Sequence, residues 1–181
     1  MKGETVEIWP SRGTNASLIA FNPKTGLVYV NSWEVARILK YTKFEFVLGQ
    51  GSTGVETSFR TPPGEPWGYH MAFDPLSGKA QWKVPVTDTV LSAGMLATDG
   101  GLLFTGRVSG DFIALDQATG QMLWKFKTGS GINSPPITYT HQGRQFVTVL
   151  SGIGGVLNRV MKVADHVPTG GSVWTFALMP E

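Results

Sequence analysis

Ala114-Leu-Asp-Gln-Ala-Thr-Gly-Gln-Met-Leu-Trp124 decides the fold, because the chain carries the same pattern twice. Its twin, Ala72-Phe-Asp-Pro-Leu-Ser-Gly-Lys-Ala-Gln-Trp82, lies 42 residues earlier. Ala72/Ala114, Asp74/Asp116, Gly78/Gly120 and Trp82/Trp124 coincide, and Ser77 stands where Thr119 does. Each copy reads as a hairpin. The Asp side chain can bond its own turn, the Gly can take a positive φ, and a returning strand carries the Trp. A period in the low forties with turn residues and a Trp marks propeller blades. One such sheet cannot bury both faces, so blades stack. Trp82 and Trp124 are the expected fillers between them, both buried beside the Gly of a neighbouring turn.

Outward from the repeat, other strands follow. Tyr69 to Asp74 and Ala80 to Val86 form a hairpin. Gly94 to Thr98, Leu102 to Arg107, Asp111 to Asp116 and Met122 to Lys127 give one whole blade. Pro136 to Tyr139 and Arg144 to Ser151 begin the next, and Val173 to Leu178 reads as a last strand. Towards the N-terminus, Thr5 to Trp9 is a short strand. Ser17 to Phe21 and Gly26 to Asn31 make a hairpin with the same turn text, Asn22-Pro-Lys-Thr-Gly26, but no docking Trp; it reads as a degenerate blade. Residues 32–66 break the period. Trp33, Val35, Ile38 and Leu39 fit one or two helical turns, and Gly49 to Pro66 reads as an irregular excursion.

The organisation expected is therefore all-β, an open arc of about three four-stranded blades. Residues 32–66 are an insertion, 67–128 regular blades, 129–155 the start of a final blade and 156–181 a C-terminal extension, with 156–163 a short helix or strand. Such an arc cannot close a ring alone.

Composition agrees and excludes. Among 181 residues, 23 Gly, 11 Pro, 10 Phe and 6 Trp suit a turn-rich β protein. A net charge of +2 without a basic run gives no basis for nucleic acid binding. No Cys means no disulfides, Cys metal sites or thiol catalysis. No apolar run is long enough for a membrane span. Met1 to Glu7 lacks the apolar core of a signal peptide.

The repeat, with Ala20-Phe-Asn-Pro-Lys-Thr-Gly-Leu-Val-Tyr29, Gly94-Met-Leu-Ala-Thr-Asp-Gly-Gly-Leu-Leu-Phe-Thr-Gly106, Thr128-Gly-Ser-Gly-Ile132 and Val149-Leu-Ser-Gly-Ile-Gly-Gly155, resembles the C-terminal part of quinoprotein alcohol dehydrogenases. That resemblance implies an eight-bladed β-propeller and the cofactor pyrroloquinoline quinone (PQQ), with calcium or a lanthanide. It further implies a periplasmic location and a cytochrome c electron acceptor. It places cofactor contacts at Asn15 and Ala16, ahead of Ala20, and at Gly155 and Val156. Ala16 stands where the family usually has Trp. Ser92, two residues before Gly94, stands where many relatives place a large side chain as a floor under the quinone. The metal carboxylate, the catalytic Asp and its Arg partner belong to blades before anything matched here, so no catalytic or metal residue is assigned in this chain. Those N-terminal blades are the expected partner, and the chain alone is expected to be inactive.

The other candidates have plainer readings. Asn15 also suits a turn, and Gly152 to Gly155 a tight turn at the inner rim. His70, His141 and His166 do not cluster and read as surface or incidental packing. Asp74 and Asp116 read as turn residues, and Ser151 lacks a nucleophile elbow. Two other function classes remain open from the residues: a non-catalytic propeller scaffold segment and a small binding domain.

Overall fold

The computed structural model describes residues 3–11, 13–14, 17–49, 54–61, 64–87, 93–154 and 167–178. They contain fourteen strands: β1 (Thr5–Ile8), β2 (Ala20–Asn22), β3 (Leu27–Trp33), β4 (Ala36–Tyr41), β5 (Val55–Arg60), β6 (Gly68–Phe73), β7 (Ala80–Val86), β8 (Met95–Ala97), β9 (Leu102–Gly106), β10 (Asp111–Asp116), β11 (Met122–Lys127), β12 (Ile137–His141), β13 (Arg144–Ser151) and β14 (Ser172–Ala177). All pairings are antiparallel. No helix among the described residues is long and apolar enough to cross a membrane.

Four sheets result. The first blade is β2-β3-β6-β7, the second β8-β9-β10-β11, the third sheet β12-β13-β14, and an outlying sheet is β1-β4-β5. They form an open arc of a β-propeller.

The repeat builds the same object twice. Asp74 Oδ1 accepts from Leu76 N, and Oδ2 accepts from the Ser77 hydroxyl. Asp116 Oδ1 accepts from Ala118 N, Thr119 N and the Thr119 hydroxyl. Both Asp residues are turn-builders, as the spacing predicts. Gly78 and Gly120 follow at φ +70° and +74°. In each blade the Ala pairs directly with the Trp, Ala72 with Trp82 and Ala114 with Trp124, and the ladder shifts register one residue later. The small Ala leaves the indole room on the shared face.

Two expectations are corrected. Residues 20–31 are not a separate degenerate blade. Their hairpin supplies the first two strands of the blade that β6 and β7 complete, because β3 pairs with β6 from Val28↔Phe73 to Trp33↔Gly68. The turn text recurs because first-to-second and third-to-fourth strand turns use the same chemistry: Asn22 Oδ1 accepts from Lys24 N as Asp74 Oδ1 does from Leu76 N. The helical turns fitted to residues 33–40 are strand instead. β3 runs to Trp33, and after Glu34 and Val35 the chain enters β4 in the outlying sheet. Trp33, Val35 and Ala36 are all buried across this crossing, which erases the alternation a strand usually displays. The insertion is therefore an ordered β4–β5 hairpin that β1 joins, with Glu7 bidentate to Arg60 at 2.7 Å.

The core sits between sheets. Tyr29 and Ala72 meet Met95, Leu103, Ile113 and Leu115 between the two blades. Phe112 and Ile132 meet Val147 and Val149 between the second blade and the third sheet. The region proposed as a C-terminal extension lies partly outside the described residues, 156–163 included, and β14 within it pairs with β13.

Candidate cofactor face

Antiparallel order gives every blade two unlike ends. The Asp and Asn turns occupy one end. The other carries the connections between the second and third strands of a blade and those between blades. Backbone bonds lace this loop end together: Met95 N to Leu18 O at 3.0 Å, Ile132 N to Arg107 O at 3.0 Å, and Gly152 N to Gly131 O at 2.8 Å. The segments flanking the expected cofactor residues all belong to it: Thr14 and Ser17 ahead of β2, Ala93 and Gly94 ahead of β8, and Gly152 to Gly154 after β13. Asn15, Ala16, Ser92, Gly155, Val156 and His166 themselves lie outside the described residues.

The loop end is close-packed at Gly94. A Cβ there would stand 2.8 Å from Pro135 Cβ and 3.0 Å from both Cβ and O of Leu18. The entrance to β8 is thus wedged between the approaches to β2 and β12. Only Gly fits.

A buried polar relay supports this entrance. Asn31 Nδ2 donates to Ala93 O at 2.7 Å and to the Thr105 hydroxyl at 3.0 Å. Thr105 Oγ1 donates in turn to Gly94 O at 3.0 Å. With both amide hydrogens committed, Asn31 Oδ1 accepts at 2.6 Å from His70 Nδ1, which must carry the proton. His70 Nε2 is then the acceptor facing Arg107 Nη2 at 3.3 Å. Asn31, His70 and Thr105 are each at most 1% exposed. Burial, and secondarily the Arg107 guanidinium, lowers the His70 pKa from 6.5 to about 3, so the ring is neutral. His70 is therefore no surface or incidental group. Nothing local could have revealed the relay, since its partners come from three strands, β3, β6 and β9, and the approach to a fourth, β8.

A second relay ties the next pair of sheets. The Ser151 hydroxyl accepts from Ser130 N at 3.1 Å and bonds Thr128 Oγ1 and Ser130 O, both at 2.8 Å. Ser130 Oγ receives Ile153 N at 3.0 Å and donates to Pro168 O at 2.6 Å. Ser151 is a staple between loops. Among the described residues no group of three His, Cys, Asp or Glu side chains converges to hold a metal.

At the turn end the docking motif closes once. Trp82 is half-buried against the second blade's turn, its Nε1 donating to Gln117 O at 2.9 Å. A Cβ on Gly120 would stand 2.6 Å from Trp82 Cε3. Residues 55–147, which contain both copies of the motif, match the family model of the PQQ β-propeller domain of glucose, ethanol and alcohol dehydrogenases.

The chain belongs to the PQQ-dependent dehydrogenase propeller family. It is 38% identical over 187 residues to the quinoprotein ethanol dehydrogenase of Pseudomonas aeruginosa, covering 97% of this chain and 29% of that one. It is 41% identical over 138 residues to the lanthanide-dependent methanol dehydrogenase of Methylorubrum extorquens, covering 75% of this chain and 23% of the relative. A solved europium-containing methanol dehydrogenase superimposes with a TM-score of 0.86 at 28% identity, over 98% of this chain and 36% of that chain. The chain thus spans under a third of the length of these curated relatives. Trp124, against expectation, is 39% exposed and does not behave as Trp82 does. It packs on Phe112, Phe126 and Phe176, and no glycine turn among the described residues sits against it.

Proposed function

We propose that this chain is the C-terminal arc of a periplasmic PQQ-dependent alcohol dehydrogenase, completed by N-terminal blades that bring the metal, the catalytic Asp and its Arg. The observation that carries this reading is the family match across two blades, with Trp82 seated on Gly120. Bound PQQ would supply the two-electron acceptor for oxidation of a primary alcohol, calcium or a lanthanide would assist it, and a cytochrome c would take the electrons onward. The residues that would hold the quinone are Asn15 and Ala16 before β2 and Gly155 and Val156 after β13.

The described surroundings fit one wall of such a site. The start of β8 is close-packed at Gly94, and the groups that hold its carbonyls are neutral, Asn31 and Thr105, with an uncharged His70 behind Asn31 and the Arg107 guanidinium beyond it. A flat aromatic cofactor needs that kind of rigid backing with amide donors at its rim. This chain's share of the work is to bind and orient the quinone and exclude water from one side of it.

The test is completion. The 181-residue chain alone should give no alcohol-dependent dye reduction with PQQ and calcium. Joined to the complementary blades of the Pseudomonas aeruginosa relative, it should take up PQQ and reduce dye. A folded hybrid that takes up no PQQ would overturn the reading.

A further inference from the structure

The outlying sheet β1-β4-β5 is not a blade, and its two faces are unlike. Register puts Val6, Leu39 and Thr57 in one row across it and Ile8, Arg37 and Phe59 in the next, with Tyr41 beside Val55. These rows share one face, because opposed residues point the same way and every second residue repeats it. The other face carries Glu7 paired with Arg60 and Lys40 with Glu56. β5 shows the contrast: Val55, Thr57 and Phe59 are half-buried, whereas Glu56, Ser58 and Arg60 are exposed.

Part of the apolar face already has a partner. Phe59 packs against a loop-end cluster of Trp33, Val35, Val86, Val108, Ile153 and Val167. Trp33 and Val86 end strands of the first blade, Val108 lies between β9 and β10 of the second, and Ile153 follows β13 of the third sheet. Three sheets thus each send an apolar side chain to one hub beneath Phe59. The rest of the face is open. Val6 is 42% and Ile8 43% exposed, and Phe44, Phe46 and Leu48 at the hairpin tip are more exposed still.

We propose that the outlying sheet is a cap over this hub, and that the rest of its apolar face seats on the loop ends of the missing blades. The proposal rests on the functional reading above, which supplies those blades. Two observations choose this occupant over a second copy. The chain spans under a third of the length of its curated relatives, so further blades would surround the same hub. In a ring every blade turns its loop end to one side. A face that starts on three loop ends therefore continues onto the next ones, and large apolar surface of this kind marks a contact.

Hydroxyl-radical labelling separates the occupants. In the isolated chain at high dilution, Val6 and Ile8 should label, as should Ile137, Leu150 and Val173 on the outer face of the third sheet. In the hybrid with the complementary Pseudomonas aeruginosa blades, label at Val6 and Ile8 should fall about fivefold, since an interface core packs like a protein interior. Ile38, on the ion-paired face, should not change. Full label at Val6 and Ile8 while the third sheet loses its own overturns the cap and leaves the functional reading untouched. If the third sheet keeps its label as well, the blades have not assembled, and the functional reading falls with the cap. The same fall at Val6 and Ile8 on concentrating the isolated chain assigns the face to a second copy and overturns the proposal.

Charge gives an independent readout. Val6→Asp with Ile8→Asp should lower the hybrid's urea midpoint by about 1 M, because assembly would bury unpaired carboxylates. The isolated chain's midpoint should move far less, since both side chains already meet water there. Thr5→Asp, on the opposite face of the same strand, should spare the hybrid. Equal shifts in chain and hybrid for the double variant overturn the cap.

Discussion

The interface between the two blades and the one between the second blade and the third sheet start from two copies of one eleven-residue pattern and end differently. At the first, Trp82 finds a glycine turn, donates to Gln117 O and closes over Gly120. At the second, Trp124 meets no such turn among the described residues and lies in an aromatic cluster with Phe126, Phe176 and Phe112. Gly78 is the mirror case: a positive-φ turn glycine with nothing within 4 Å of where its Cβ would be. The docking motif is thus two half-devices, an indole reaching forward and a glycine reaching back. Only a consecutive pair of motifs joins them. A repeat in a sequence announces the halves, and the neighbour decides whether they lock.

The sharpest way to break this comparison is to remove the indoles. Trp82→Ala should lower unfolding free energy in urea by about 3 kcal/mol, since it takes away a packed ring and a hydrogen bond. Trp124→Ala should cost about 1–2 kcal/mol, because its ring is already partly in water. Equal losses would mean that the lock adds nothing. The glycines sharpen the same point. Gly78→Ala and Gly120→Ala both place a side chain at positive φ, at about 1–2 kcal/mol each. Gly120→Ala alone also drives a methyl into Trp82, so it should cost about 1–3 kcal/mol more.

Acid distinguishes the loop ends of the two interfaces. The relay between the blades contains His70, held neutral with a pKa of about 3 against 6.5 when unfolded, whereas the Thr128–Ser130–Ser151 relay has no titrating group. Between those values the unfolded chain binds more protons than the folded one. The contribution from His70 is therefore fully present above pH 6.5 and is lost as pH falls towards 3. Stability should drop by about 2 kcal/mol between about pH 7 and pH 5, and His70→Asn should flatten that part of the profile. An unchanged slope in the variant would show that carboxylates elsewhere carry it.

Legibility followed the range of the interactions. The second blade was readable strand by strand, because its turns are made by side chains bonding two or three residues away, as Asp116 does. Sheet assignment was harder. The hairpin at Asn22 carries the same turn chemistry as the one at Asp74, and nothing local says that both belong to one blade across the intervening β4–β5 hairpin. The helical spacing of Trp33, Val35, Ile38 and Leu39 came from a strand changing sheets, where burial on both faces overwrites the period of two. The relay around Asn31 was invisible for a further reason. Asn31 lies 39 residues from His70 and 74 from Thr105, and each alone is an ordinary strand residue. Family resemblance supplies only expected cofactor positions, Asn15, Ala16, Gly155 and Val156, which lie outside the described residues, and the packing speaks for the segments beside them.

The unfilled turn at Gly78 and the partly exposed indole of Trp124 have a consequence for solution behaviour. They are complementary but unlike, so when one copy offers its indole to the turn of another, the pair still displays one turn and one indole. Contacts of this heterologous kind do not terminate at a dimer; they add units until geometry closes a ring or the filament is left open. Exposed Ile137, Leu150 and Val173 on the third sheet add to the attraction. Light scattering from the purified chain should therefore rise continuously with concentration in the micromolar range, and Trp124→Ser should suppress it. A discrete two-fold dimer would mean that the copies meet through some other, self-matching face.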